Sequence, residues 1–296
     1  MNNGVRTLIP SLVIGFVLTC MVACNPQQSN NQQGNEVDTK VEQSNQAATA
    51  PKESSKATNK QNDCQLTVGF DTWEPYQYVD IDREVKGLDI EILRLAAEKM
   101  ECDLAFHQAT WVELLGELRS GEIDLVLGAS KTAERENFAI FSSPYREESF
   151  SLYVRNADDF KYQQADIKEF VEAGHKVGLV DQYYYGDTVD GLMDDDKLSS
   201  LFVPAMMSEI NIARLLDMDI DGVLEDSFVG ASIIRRKGLG QYITKHQITI
   251  NTGSVYVMFS KKSVKPEIVN EFNKALDEIR NSGKFEELTD RYSMKR

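Results

Sequence analysis

The chain has 296 residues, with 32 Lys and Arg against 47 Asp and Glu, a formal net charge of −15. No basic stripe offsets that charge, which argues against a nucleic-acid partner, and the length suffices for one or two domains with a packed core. The three histidines, His107, His175 and His246, stand at no ligand spacing from one another or from a cysteine pair, which argues against a zinc site.

The first element is not part of a core. Arg6 precedes the apolar run Leu8 to Val22, and a small residue then stands before Cys24. A basic start and a short apolar stretch read as a secretory signal over residues 1–23. "MVAC" resembles a lipobox, in which the cysteine, here Cys24, becomes the lipidated first residue of the mature chain. An uncleaved anchor helix is the competing reading, disfavoured by Pro10 and by the shortness of the run. Residues 24–62 are Gln, Asn, Ser, Thr, Ala and Lys with little to bury, so they are expected to form a flexible tether. A chain of that length reaches about 35 Å at roughly 5–6 Å times the square root of residue number. Cys20 and Cys24 belong to the signal, which leaves Cys64 and Cys102 in the exported part. Each opens a strand-like run, "CQLTVGF" and "CDLAFHQ", so neighbouring strands in register would bring their sulfurs together, and an exported compartment permits that disulfide.

From Gln65 onward strand and helix alternate. "QLTVGF" reads as a strand, and "LDIEILRLAAEKM" as a helix with Asp89 as cap and Ile90, Leu93, Ala97 and Met100 on one face. "CDLAFHQ" follows as a strand, then a helix capped by Thr110 and stopped at Gly121, then the strand "EIDLVLGAS". This succession predicts a parallel sheet covered by helices. Further on, "MDIDGVLEDS" repeats "GEIDLVLGAS" with Ile, Asp, Val, Leu and Ser in matching places, each after a helical stretch. With the strand "HKVGLVDQ", the pattern predicts two similar α/β lobes. The runs Glu148 to Arg155 and Ser254 to Lys261 are placed as the two connections between them, a hinge for closing on a ligand. Lobe 1 is then discontinuous, residues 63–153 and 255–296, with lobe 2 at 154–254. Parallel sheets bind ligands at the carboxyl ends of their strands, so the pocket is expected between the lobes, with Ser130 and Ser227 near its walls.

One residue breaks a local rule. Thr132 reads as the cap of a short helix, yet Arg135 stands in its first turn, beside the positive field of free backbone N–H groups. A guanidinium gives a planar fork for two carboxylate oxygens, and the same N–H groups favour an anion, so the conflict points to a ligand carboxylate. The plainer alternative is a surface ion pair with Glu134, Glu136 or Glu147.

"VGFDTWEPYQY", "GLDIEIL", "GEIDLVLGASKTAER" and "FAIFSSPYREE", in this order and spacing, resemble the bacterial extracellular solute-binding proteins of family 3, from about Cys64 to Tyr292. The resemblance implies a two-lobed, periplasmic-binding-protein-like (type II) α/β fold, parallel-sheet lobes joined by a two-strand hinge. It implies that Thr132-x-x-Arg135 takes the α-carboxylate of an amino acid, with Ser130 as a hydrogen-bonding partner. Asp226 matches the family's acid for the α-amino group, although it would also serve as a helix cap. Trp73 matches the aromatic that packs on the ligand side chain; Tyr76 is read as packing, Asp71 as a pocket carboxylate and Trp111 as a wall, the last two equally explicable as structural. The chain departs from the family where many members have Gly-Ser/Thr after the first strand of the second lobe: here stand Gln182 and Tyr183.

The resemblance makes the expected function extracytoplasmic capture of a small polar carboxylate-bearing solute, first of all an amino acid, for an ABC transporter permease or a sensor. No cofactor and no chemistry are expected, and the protein is expected to be a monomer held at the cell envelope by its lipid. Enzymes resembling this fold, such as cyclohexadienyl dehydratase, keep a second class open. Glu225 beside Asp226 is the acid pair such chemistry would need, although adjacent strand residues face opposite ways.

Overall fold

The computed structural model describes residues Cys64–Ser293; the signal segment, Cys24 and the tether lie outside them. The chain opens with β1 (Cys64–Phe70), the small hairpin β2 (Tyr78–Val79) and β3 (Val85–Lys86), and α1 (Leu88–Lys99). There follow β4 (Cys102–Gln108), α2 (Trp111–Ser120), β5 (Leu125–Ser130), α3 (Ala133–Glu136) and β6 (Ala139–Phe141). The long strand β7 (Arg146–Arg155) leads to α4 (Ile167–Glu172), β8 (Val177–Val180), α5 (Asp187–Met193), β9 (Phe202–Ala205), α6 (Ser208–Leu216), β10 (Gly222–Asp226) and α7 (Ser227–Arg236). The chain returns along β11 (Ile243–Ser260) and ends in α8 (Pro266–Asn281) and α9 (Lys284–Ser293).

Both lobes have the same plan. In the first, β4, β1 and β5 run parallel in that order; in the second, β9, β8 and β10 do. The two segments that repeat in the sequence are β5 and β10, and they hold equivalent places. Each follows a helix, and each lies against one crossing strand, β5 against β11 and β10 against β7. The lobes' sheets are not separate, as two independent parallel sheets would be. β7 and β11 pair with each other antiparallel, so the strands form one mixed sheet of nine. These crossing strands are also longer than the runs expected for them, because the ladder between them continues into the second lobe.

Local chemistry accounts for the helices that frame the cleft. The Thr110 backbone N–H donates to the Glu113 carboxylate at 2.9 Å at the start of α2, and Gly121, at φ 86°, ends it in the left-handed region. The expectation for α1 needs correcting. Gly87, not Asp89, precedes its first turn, and Asp89 is buried within that turn. A side chain at position 87 would meet the Tyr76 carbonyl oxygen at 2.1 Å, so glycine alone allows the close approach that starts the helix there. Asp89 is thereby released from capping and turned inward. On α8, the face of Ile268, Phe272, Leu276 and Ile279 turns to the core, with the last three buried and Ile268 partly so.

β1 and β4 pair with Cys64 opposite Cys102, and the two form a disulfide with Cα atoms 4.6 Å apart. The bond closes a separation of 38 residues and ties the edge strand of the first lobe to its centre. Replacing both cysteines by serine is expected to cost about 2–4 kcal/mol of unfolding free energy. Denaturant unfolding of the oxidised parent against the double variant measures it, and alkylation of the non-reduced parent followed by mass spectrometry should find neither thiol free.

Candidate functional site

The loops at the carboxyl ends of the strands converge between the lobes. Asp71 and Trp73 follow β1, Trp111 follows β4, Arg135 follows β5, and Tyr183 follows β8. Arg135, Ser130, Trp73, Trp111 and Asp71 line one cavity of about 30 Å³, which Glu148 and Tyr183 also enter. That is far below the roughly 300–1,000 Å³ found for small-ligand sites and leaves room for little more than a water, so the lining side chains fill most of the space between the lobes.

Arg135 is the best-defined member. It is only 7% exposed, so the surface ion pair does not describe it. One guanidinium nitrogen donates to the Ser130 carbonyl at 2.9 Å and another to the Gln182 carbonyl at 2.8 Å, across the cleft. The Trp111 ring lies 5.3 Å away. Burial pulls the arginine's pKa down, while the Glu148 carboxylate pulls it up. Five N–H groups form such a fork, so these two bonds leave donors for a carboxylate. Thr132 plays an indirect part: its hydroxyl accepts from the Arg135 backbone N–H at 3.3 Å, and it lies on the outer cleft rather than the cavity wall.

Asp226 is placed differently from Arg135. One carboxylate oxygen caps α7, accepting from the N–H groups of Phe228 at 2.8 Å and Val229 at 3.1 Å. The other is buried with no partner among the described residues, and Asp226 is not on the cavity wall. Besides Asp71, the carboxylate that reaches the wall is Glu148, which is not among the residues expected at the site. The Ser130 hydroxyl donates to it at 3.3 Å and the Thr252 hydroxyl at 3.1 Å. Burial pushes its carboxyl up to about 7 against the pull of Arg146, and the charge of Asp226 raises it further. A signal for it exists in the sequence: Glu148 shares strand parity with Phe150 and Leu152, so it is a carboxylate on an apolar face.

Trp73 is fixed on both sides. Its indole N–H donates to Glu225 at 3.3 Å, a carboxyl that burial pushes up to about 7. The Arg146 guanidinium lies 5.2 Å from the Trp73 ring and 3.7 Å from the Tyr76 ring, and pairs with Asp89 at 3.2 Å. Burial works against the charge of Arg146, and Asp89 together with Tyr76, Tyr145 and Glu148 outweighs it, so the arginine stays protonated. Around Trp73 the Gln77 amide oxygen, one Arg146 nitrogen, one Glu225 oxygen and one Asp226 oxygen are buried without partners among the described residues. Asp71 accepts from the Thr72 N–H at 2.6 Å, and burial pushes it up to about 6. Ser227, expected near the wall, is not part of the cavity lining; its hydroxyl bonds to those of Ser149 and Ser151.

Two similar lobes on a paired-strand hinge, with a small, largely aromatic cavity between them that also holds a buried arginine and carboxylates, define a solute-binding protein. The family model for bacterial extracellular solute-binding proteins, family 3, matches residues 66–295, and the chain belongs to that family. It captures a small solute outside the cytoplasm. Among relatives, a Campylobacter jejuni protein named "Probable histidine-binding protein" is 23% identical over 98% of this chain and 99% of its own. The Escherichia coli K12 "ABC transporter arginine-binding protein 1" is 22% identical over 75% of this chain and 87% of its own. A solved histidine kinase sensor domain with similarity to periplasmic binding proteins superposes with a TM-score of 0.67, at 19% identity, over 77% of this chain and 95% of its own. No helix among the described residues is long and apolar enough to cross a membrane.

Proposed function

We propose that the solute is an amino acid, delivered to an ABC transporter. The observation that carries this reading is that Arg135 and Glu148 flank Ser130 on one cavity wall, the arginine bonded to its carbonyl and the glutamate to its hydroxyl. A cation and a carboxylate held on either side of one residue match the two charges of a zwitterion. Arg135 takes the α-carboxylate, with the Ser130 hydroxyl beside it. Glu148 takes the α-ammonium, and the unpartnered oxygen of Asp226 adds negative charge behind it. Trp73 and Trp111 are the walls against the side chain, Asp71 lies at the mouth, and Thr132 holds the Arg135 turn. The relatives' names, which specify histidine and arginine, support the amino acid.

Arg135→Ala leaves a desolvated carboxylate without its fork, and the expected loss of affinity is about 2–5 kcal/mol. Arg135→Lys recovers part of it, because it restores charge without bidentate geometry. Calorimetry over an amino-acid and organic-acid panel, on protein unfolded and refolded to strip bound solute, measures both. A tight ligand held equally well by Arg135→Ala would overturn the assignment.

The same site makes binding depend on pH. An ammonium against Glu148 favours the ionised carboxyl, so binding lowers a pKa that otherwise stands at about 7 and releases a proton. Affinity is therefore full above pH 7 and falls as the pH drops below it. Glu148→Gln should flatten that fall, with weaker binding throughout; a fall unchanged in this variant places the titrating group elsewhere.

Attachment through Cys24 belongs to the same proposal. Cys24→Ser is expected to release the protein from the membrane fraction, and undiminished retention speaks for an uncleaved anchor.

A further inference from the structure

Gln182 and Tyr183 stand where the resemblance leads one to expect Gly-Ser/Thr. Gln182 nevertheless has φ 62°, the left-handed backbone that suits glycine. The backbone turn is thus of the kind the smaller pair would make, and only its side chains differ. Held in that turn, the Gln182 carbonyl accepts from two donors of the opposite lobe, the Arg135 guanidinium at 2.8 Å and the Trp111 indole N–H at 3.1 Å.

The same turn drives the next side chain into the cleft. The Tyr183 ring stands edge-on to Trp73, with centroids 6.1 Å apart and planes at 80°, and edge-on to Trp111, at 5.9 Å and 85°. Both tryptophans belong to the first lobe and Tyr183 to the second. Tyr183 packs against the hydrophobic clusters that hold Trp73, Trp111 and Phe150, so one ring from a cleft loop touches every core cluster that borders the cavity. Burial raises the pKa of its hydroxyl, and the charges of Asp71, Glu225 and Glu148 raise it further. The rings do not form a cage for a bound cation, because guanidinium groups already lie against both indoles, Arg146 on Trp73 and Arg135 on Trp111.

We propose that Tyr183 is a built-in plug: wedged between Trp73 and Trp111, it occupies the volume of a ligand's side chain, holds the lobes together, and restricts the site to amino acids with short side chains. This rests on the amino-acid reading for its ligand class, but the wedge itself does not. A ring contributed by the chain does the packing that a long side chain would otherwise do. A ligand with only a small group beyond its α-carbon fits beside the ring, whereas arginine or histidine must displace it and break both aromatic contacts.

Two measurements test the two halves. Trp73 and Trp111 are the only tryptophans in the chain, and both touch Tyr183, so intrinsic fluorescence reports on the wedge directly. In full-length protein stripped of solute, acrylamide quenching is expected to be weak in the parent and in Tyr183→Phe, which keeps the ring, and strong in Tyr183→Thr. Equal quenching in parent and Tyr183→Thr overturns the plug without reference to any ligand. In calorimetry, the parent should prefer glycine, alanine or serine to arginine, lysine or histidine. Tyr183→Thr should shift the ratio of arginine to alanine affinity by about tenfold or more toward arginine, the scale on which pocket volume discriminates, while Tyr183→Phe leaves the ratio unchanged. A parent that binds arginine or histidine as tightly as alanine, or a ratio unmoved in a folded Tyr183→Thr protein, overturns the size limit. A parent that binds no amino acid, with the quenching result as expected, overturns the amino-acid reading and the size limit built on it, and leaves the wedge standing. Should Tyr183→Thr fail to fold, Tyr183→Leu serves, since it removes the aromatic edge contacts while retaining apolar bulk.

Discussion

The antiparallel pairing of β7 with β11 positions everything at the cleft. These strands carry the chain out of the first lobe and back into it, and each is also bonded to a lobe's own sheet, β7 to β10 and β11 to β5. Because the ladder is shared, neither lobe can move without bending it. The pairing shifts register between Lys245 and Thr249 and again between Asn251 and Gly253, and such bulges bend and twist a strand locally. Gly253, at φ 84°, lies opposite Glu148, and Thr252 donates to the Glu148 carboxylate. A charged group of the cavity wall is thus seated on the irregular part of the hinge.

The electrostatics of the cleft follow from how few of its charges are solvated. Asp89, Arg146, Glu148, Glu225 and Asp226 are all buried or nearly so. Taking such groups out of water is costly unless partners repay it, and the repayment here is partial. Asp89 and Arg146 pair with each other, and the ring of Tyr76 packs on the guanidinium. Glu148 and Glu225 have hydrogen bonds but, among the described residues, no salt-bridge partner, so burial pushes both carboxyls up to about 7. A site with unspent carboxylate capacity around one available arginine is better matched to a ligand carrying both signs of charge than to a simple anion. The geometry of Arg135 fits this, since its fork is braced by two carbonyls and, among the described residues, forms no salt bridge.

Much of this was legible in the residues. The alternation of strand and helix, the repeat of "GEIDLVLGAS" in "MDIDGVLEDS" and the conflict of Arg135 with its helix end are local patterns, and local patterns survive in sequence. Glu148 was harder to see. It is ordinary among the charged residues of "YREESFSLYVR", and becomes a site residue only because strand parity turns it inward and the hinge sets it beside Ser130. Asp89 misled for the converse reason, since it has the chemistry of a cap but is claimed by Arg146, 57 residues away.

The sequence by itself determined the two-lobed α/β plan, the strand ends from which the site is built, and the Cys64–Cys102 pairing. Each depends on periodicity or on the order of elements along the chain, and those are fixed by short-range sterics and by the need to bury one face. Only the tertiary structure decided that Glu148 and not Asp226 joins Asp71 on the cavity wall, and that Tyr183 stands between two tryptophans of the other lobe. Those facts rest on contacts between residues far apart in the chain, brought together by the bend of one shared strand pair, and no local pattern encodes how far that pair bends.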